Sequence, residues 1–557
     1  MSLTRLFRKK SLDIILKQGG DGEHSGLNKV LTVKDLTFFG IAAIIGGGTF
    51  SAIGNACFSG GPGVILLYII CAIACGFTAM CYAEFASRVP VSGSAYTYAY
   101  VSFGELFAWI IGWALLMEYS IGNIYIAFSW SGYFTNLLES FGLHLPEWLT
   151  INYKSAHAAF LEGKGGEGLL AWKNAPEVAG LKIIFDMPAV LINVLITYLI
   201  YKGTSESKNV SNFMVYLKLI IIVLVIAVGV FYIDIDNWNP FMPNGFKGVM
   251  AGVSAVFFAY IGFDAVSTLA EESKNPQHDL PRGMIYSLVV CTIVYIILAL
   301  ILTGMVKYDL LGVSDPLAEI FALKGIKWML FIVSIAAVAA MTSVMLVFQM
   351  GQPRIWMTMS RDGLMPKQFA AIHPKYKTPG FATIVTGIVV GLPIFFTDEN
   401  FVLDFTSIGT LFAFVLVCGG VLMLAPHNEA EANAPTRGRF RIPYINSKWI
   451  FPILVIFSFG IINFLFPDYF ESILSLNESS LATNLPLLVF FIFTLIMTVF
   501  SFLKNLSLIP LLGLISCCYL LTGMALSNWK WFGIWLTIGL VIYFSYGFKN
   551  SKLNKNS

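Results

Sequence analysis

Three successive glycines, Gly46, Gly47 and Gly48, stand in the middle of a long apolar run. Each costs a helix about 1 kcal/mol relative to alanine. Together they let the chain unwind and let a ligand approach bare backbone. Unwinding exposes N–H groups and the positive end of the following half-helix, which suits a carboxylate. Glycines used only for close helix packing recur at four-residue spacing, so three in a row favour a ligand. A second apolar run holds Phe258-Ala259-Tyr260-Ile261-Gly262-Phe263-Asp264. If the backbone opens there, its freed carbonyls can accept hydrogen bonds from an ammonium group. A carboxylate with an ammonium beside it describes an α-amino acid, although other zwitterions meet the same requirement.

Glu118, Lys218 and Asp264 lie deep in apolar runs. A charge at a helix centre costs at least about 2.5–3.5 kcal/mol in a membrane, so each is a functional candidate. Lys218 is about eight residues into its run, some 12 Å along a helix. It can load and unload a proton. Alternatively its ammonium takes the place of a sodium ion, bonding carbonyls of the first helix and hydroxyls of the eighth, where Thr342 and Ser343 lie. The bland reading is a permanent ion pair with Asp264 or Glu118. Glu118 has three open readings: holding a cationic side chain, carrying a proton, or bonding neighbouring hydroxyls while protonated. Asp264 reads as an N-cap for the second half of a broken helix, with a transport role as the alternative.

Long helices must position these residues. The chain has 557 residues, 57% hydrophobic and only 12% charged, with mean hydropathy +0.76. Soluble proteins carry about twice that charge, so a soluble enzyme is excluded. The net charge of +3 is too small to point to nucleic acid. Apolar runs of about 20 residues span a bilayer. Fourteen are expected, at 36–58, 63–87, 105–137, 187–201, 210–233, 249–271, 284–306, 326–353, 380–397, 401–425, 449–467, 485–503, 507–527 and 530–548. Placing the N-terminus in the cytoplasm puts 25 of the 35 Lys and Arg on the inside and nine outside, which satisfies the positive-inside rule with both termini cytoplasmic. Residues 3–16 read as an amphipathic surface helix within a cytoplasmic segment, 1–35. The eight cysteines read as small buried hydrophobes. The six histidines are scattered over loops, which argues against a membrane enzyme, and no spacing suggests a metal or cofactor.

The two Gly-interrupted runs are five spans apart, so their helices cross in opposite directions. Paired interrupted helices in inverted halves point to a secondary-transporter site. The core repeats would be 36–233 and 249–425. A cytoplasmic loop at 426–448, four added helices at 449–548 and a tail at 549–557 complete the chain. After the eighth span, Arg361 and Asp362 suggest an inner gate with Glu84, Arg88, Glu271 or Glu272; lipid-headgroup anchoring is the alternative.

Several segments resemble the amino-acid permeases of the APC superfamily, in particular the cationic amino acid transporter branch. They are Ile44-Ile45-Gly46-Gly47-Gly48-Thr49-Phe50, SGSAYTY at 92–98, FFAYIGFD at 257–264, EESKNPQHDLPR at 271–282, and the loop 352–366 with its MSRDGLMP run. The resemblance covers about residues 30–425. It implies an all-α LeuT-type 5+5 inverted repeat with broken first and sixth helices. It implies that the substrate carboxylate meets Gly46, Gly47 and Gly48, and that its ammonium meets the carbonyls of Ile44, Phe258, Ala259 and Ile261. Lys218 matches the fifth-helix lysine that stands at the sodium position in proton-coupled relatives. Two departures stand out: Gly47 replaces a hydroxyl residue, and Thr49 replaces an apolar one. Glu118, Met341 and Met345 are candidates for the side-chain pocket; methionines favour a small neutral substrate and Glu118 a cationic one. The expectation is a proton-coupled L-amino-acid symporter of the plasma membrane, with an exchanger as the alternative, ahead of an enzyme or a channel.

Overall fold

Large apolar side chains point outward on these helices, the reverse of a water-soluble fold. Leu191, Val194, Leu195 and Tyr198 form one exposed stripe, and Val489, Ile492, Ile496 and Val499 form another. Their spacing of three and four residues makes one helical face, and a face that is apolar and uncovered fits a lipid surface. The computed structural model describes residues 7–10, 29–89, 91–163, 166–178, 180–313, 315–424, 440–465 and 478–555.

The first expected span is two pieces: α1 (Val33–Ile44) and α2 (Ile53–Gly60), joined by a π-helical turn at Gly48–Ala52. Next come α3 (Val64–Arg88), the short α4 (Ala95–Ser102) and the long α5 (Glu105–Ser140). A cap outside the membrane follows, with helices Tyr153–Glu162 and Glu167–Asn174 and a hairpin pairing Glu177 with Lys182. Then come α6 (Met187–Lys202) and α7 (Thr204–Gly229). The sixth span is again broken, into α8 (Val253–Tyr260) and a 3-10 helix at Phe263–Glu272. Beyond it lie α9 (Pro276–Met305), α10 (Lys327–Arg361), α11 (Gly380–Ile394) and α12 (Glu399–Leu424). The chain ends with α13 (Ser447–Leu465), α14 (Glu478–Lys504), α15 (Leu508–Thr522) and α16 (Leu526–Ile542).

Helix therefore occupies all fourteen expected intervals, but their lengths differ from the expectation. Among the described residues, ten helices are long and apolar enough to cross a membrane; α6, α11 and α15 are shorter apolar helices. The amphipathic reading of residues 3–16 lies outside the described residues except at 7–10, and that of the loop 426–448 lies outside them up to residue 439.

The core is built around α5, which packs on α10 and α12, while α9 packs on α1 and α3. The window of α5 is almost wholly buried, whereas α13 and α14 are mostly exposed. The ends of the two broken spans are tied together: the Val30 and Leu31 N–H groups donate to the Glu272 carbonyl at 3.0 Å, and the Lys274 N–H donates to the Leu31 carbonyl at 2.9 Å. This strap lies on the face that carries Arg88, Arg354 and Arg361, called the basic face below.

Candidate functional site

Both breaks have a backbone cause. In the first, α1 ends at Ile45 in an extended conformation, φ −81° and ψ 98°. The N–H groups of Gly46 and Gly47 then find no backbone acceptor among the described residues, while the Gly46 carbonyl accepts from the N–H groups of Thr49 and Phe50. In the sixth span Ile261 is extended, and Gly262 takes φ +117°, a conformation that glycine alone adopts cheaply. A Cβ on Gly262 would lie 2.6 Å from the Ala43 Cβ, so the two breaks touch.

The glycines sit against named neighbours. A Cβ on Gly46 would fall 2.2 Å from Val344 Cγ2, one on Gly47 2.5 Å from Ile126 Cδ1, and one on Gly48 2.4 Å from the Ala259 Cα. Tyr125 stacks edge-on to Phe258 with centroids 4.7 Å apart. The space around the first break is thus bounded by Val344, Ile126, Tyr125 and Phe258. Sequence reasoning missed Val344, Ile126 and Tyr125. Met341 and Met345 are fully buried, and Met341, three residues before Val344, lies on its helical face. Thr49 is fully buried and its hydroxyl has no hydrogen-bond partner.

The carbonyls expected to receive an ammonium are engaged in this conformation. The Tyr295 hydroxyl lies 2.7 Å from both the Ile44 and the Ala259 carbonyl oxygens, bridging the two breaks. The Phe258 carbonyl accepts the Ile261 N–H, while the Ile261 carbonyl accepts none of the described bonds. Tyr295 also escaped sequence reasoning, because it is one of two tyrosines in a continuous apolar helix with no glycine interruption near it.

Lys218 reaches from α7 to the end of α1. Its Nζ donates to the Ala42 carbonyl at 3.2 Å, the Ile45 carbonyl at 2.6 Å and Ser343 Oγ at 3.0 Å. Ser343 Oγ gives its own proton to the Ala340 carbonyl. All three contacts must therefore be donated by Lys218, and only an ammonium has three donors. The carbonyls are those that the break orphans at the end of α1, where a cation is favoured. Among the described residues no carboxylate pairs with Lys218, so the ion-pair reading has no partner here. Thr342, expected beside Ser343, instead accepts from Trp130 Nε1 at 2.9 Å and faces α5.

Glu118 lies elsewhere. It is fully buried, neither carboxylate oxygen has a partner, and its Cβ faces Gly409 on α12. It is seven residues, about 10.5 Å along α5, from Tyr125. Asp264 is fully buried beside Tyr119, whose hydroxyl donates to Oδ2 at 3.4 Å. Asp264 is not the expected N-cap: Gly262 holds that position, and Asp264 sits within the first turn without a capping bond.

Both faces of the site are closed by side chains. On the basic face Arg361 binds both oxygens of Glu271 at 3.1 and 3.3 Å, and Arg354 binds Glu272 at 2.6 Å. Asp362 pairs with Lys10 at 2.5 Å and accepts from Tyr96 at 2.8 Å. Arg88 pairs with Glu84 on its own helix. On the opposite face Tyr133 donates to the Phe50 carbonyl at 2.6 Å, and Ser129 to Glu399 at 3.0 Å. Above these bonds lies a cavity of about 250 Å³, with Asp186, Asp315 and Glu399 in its wall. Burial raises the Asp315 carboxyl above the usual range and pushes Asp186 up to about 7. Lys154 pairs with Asp398.

Two broken spans that meet inside a bundle of long apolar helices are an arrangement that suits a secondary transporter. The profile of the family described as amino acid permease matches residues 31–471, and that of the C-terminus of such permeases matches 506–551. The chain belongs to the amino acid permease family. It is 38% identical over 552 residues to the branched-chain amino acid permease BcaP of Bacillus subtilis (strain 168), covering 99% of both chains. It is 36% identical to a methylthioribose transporter of the same organism, covering 99% of this chain and 100% of that one. It is 37% identical over 436 residues to the chloroplastic cationic amino acid transporter 9 of Arabidopsis thaliana, covering 77% of this chain and 73% of the relative.

Proposed function

We propose that this protein is a proton-coupled symporter of neutral L-amino acids with apolar side chains, working by alternating access. The observation that carries the coupling is the Lys218 ammonium, bonded to Ala42, Ile45 and Ser343 one residue from the glycine break. Deprotonation leaves an amine with too few donors for its three acceptors and loosens the end of α1. Loading and losing a proton at Lys218 thereby biases the position of α1, which is what coupling requires.

The substrate carboxylate takes the free N–H groups of Gly46 and Gly47, with Gly48 and the Thr49 hydroxyl beside them. The α-ammonium displaces the Tyr295 hydroxyl from the Ile44 and Ala259 carbonyls and adds the Ile261 carbonyl, near Phe258. The side chain meets Val344, Ile126, Tyr125 and Phe258, with Met341 one turn from Val344 on α10 and Met345 next to Met341's face. The four side chains bounding that space are uncharged, and the full-length likeness to a branched-chain amino acid permease supports the same class. Glu118 and Asp264, both fully buried, serve proton coupling. The core is an inverted 5+5 repeat, 36–233 and 249–425, in the plasma membrane with both termini cytoplasmic. Arg361–Glu271 and Arg354–Glu272 form the inner gate.

The test is uptake of labelled leucine into proteoliposomes under an imposed proton or sodium gradient. Stimulation by protons alone is expected. Stimulation by sodium alone would overturn the coupling, and exchange without net proton movement would make the protein an antiporter. Leucine and valine are expected to compete. Competition by arginine or methylthioribose at leucine's concentration would overturn the substrate class.

A further inference from the structure

One small cavity on the basic side of Lys218, beside the Arg354–Glu272 pair, has had no role so far. It holds about 20 Å³ and is lined by Asp35 and Phe39 of α1, Ser211 and Asn212 of α7, Glu272, and Met350 of α10. These are the elements that surround Lys218, sampled one to two turns nearer the basic face. A cavity needs about 10–15 Å³ and two to four polar partners to hold a water molecule; this one has both.

Two buried groups aim into it without a partner. Ser211 is 4% exposed, and its hydroxyl makes no hydrogen bond. A serine within a helix commonly donates back to the carbonyl four residues earlier, as Ser120 and Ser334 do here; Ser211 does not. Glu272 is 1% exposed; Arg354 binds its Oε1, and its Oε2 has no partner. Opposite them Asp35 accepts from Thr32 and, through Oδ1, from Asn212 at 3.1 Å. Ser211 and Lys218 are seven residues apart and so share one face of α7, about 10.5 Å apart along the axis. Val215, fully buried, fills the turn between them.

We propose that this cavity is a water-holding proton-release site, in which Ser211 and Glu272 pass to the cytoplasm the proton that Lys218 gives up. The proposal rests on the proton-coupled reading above. When α1 moves away and water enters past Val215, an N–H bond of the Lys218 ammonium breaks and its electron pair stays on Nζ. An O–H bond forms on water, and a proton of the cavity water, held by Ser211 Oγ, passes to Glu272 Oε2. Glu272 then loses it to solvent, so one proton has moved and nothing else has changed. The charged groups facing Glu272 are Arg354 from α10 and Asp35 from α1. Its neighbour Glu271 is held by Arg361, while Asp279 of α9 bonds Ser273 and the Asn275 N–H.

The test uses the full chain in proteoliposomes, with labelled leucine followed in two modes: uptake driven by an inward proton gradient, and counterflow without a gradient, which needs no net proton release. Ser211→Val removes the hydroxyl and fills the cavity, and Ser211→Thr keeps the hydroxyl. Ser211→Val and Glu272→Gln are expected to slow gradient-driven uptake about tenfold, the kinetic equivalent of losing one buried hydrogen-bond partner. Counterflow by Ser211→Val and both modes of Ser211→Thr should stay near wild type; Glu272→Gln is read in gradient-driven uptake alone, because Glu272 also pairs with Arg354 in the gate. Wild-type gradient-driven uptake at Ser211→Val or at Glu272→Gln overturns the proposal; so does an equal fall of Ser211→Val in both modes, or a fall in Ser211→Thr. If wild-type uptake ignores the proton gradient, it is the coupling reading that fails.

Discussion

Replacing Lys218 with methionine keeps a chain of similar length but removes all three donors. The Ala42 and Ile45 carbonyls are then left buried without partners when α1 is docked. Each such orphan costs about 1–3 kcal/mol, so the docked conformation loses about 2–6 kcal/mol against one in which water reaches those carbonyls. At about 1.4 kcal/mol per tenfold, the smallest of these values shifts the population roughly thirtyfold toward the undocked state. Two readouts follow for Lys218→Met. Amide hydrogen exchange across residues 41–45 is expected to speed up at least thirtyfold. Leucine uptake should lose its dependence on pH between 6 and 8 and its stimulation by a proton gradient, while counterflow persists. If the variant keeps wild-type pH dependence and wild-type exchange protection, Lys218 neither carries the proton nor holds α1, and the coupling argument is wrong.

Other outcomes follow from the same geometry. Tyr295→Phe leaves the Ile44 and Ala259 carbonyls open, so leucine should raise the melting temperature of this variant more than that of wild type; an equal shift would place the ammonium elsewhere. Gly46→Ala and Gly48→Ala should each cut uptake about five- to 150-fold, since an intruding Cβ costs about 1–3 kcal/mol. Val344→Ala should partly rescue the first, because Val344 can be trimmed, and not the second, because the obstacle is the Ala259 backbone. Glu118→Gln should leave the low competition by arginine unchanged; a rise or fall in arginine affinity would bring Glu118 into the side-chain pocket. Asp186 titrates near 7 in the folded protein because burial disfavours its charge, against about 3.9 when unfolded. The folded state therefore holds a proton that the unfolded state releases, and stability falls as pH rises from about 4 to about 7. Asp186→Asn, which keeps the cap on Ala189, should flatten that fall in a detergent melting series.

Periodicity and composition sufficed for the helical membrane architecture, because twenty apolar residues with few charges have one economical fate in a bilayer. They also marked the places where helices break: Gly46-Gly47-Gly48 is costly in a helix, and Gly262 takes a backbone conformation only glycine adopts easily. Lys218 stood out because charge is scarce in these spans, and Ser343 was legible beside it as a hydroxyl at the right depth. Length was less legible. The apolar intervals around α11 and α15 exceed the helices inside them, since flanking loops are apolar too, whereas the short α6 matches its interval.

The tertiary structure decided which of several buried polar residues meet. Sequence offered Lys218 carbonyls of the first helix with the hydroxyls of Thr342 and Ser343, or else an ion pair with Asp264 or Glu118; packing of α7 between α1 and α10 chose Ser343 and two carbonyls, and turned Thr342 toward Trp130. It placed Glu118 with Gly409 rather than with the glycine break, since seven residues along α5 separate the two. Val344, Ile126 and Tyr295 are ordinary core residues by type, and only the crossing of three helices gives them a role. The sequence by itself determined that the chain lives in a membrane, where it unwinds and which charges must be accounted for, because those follow from local cost. Which partners settle each cost is a matter of helix rotation and crossing, which depend on every neighbour at once.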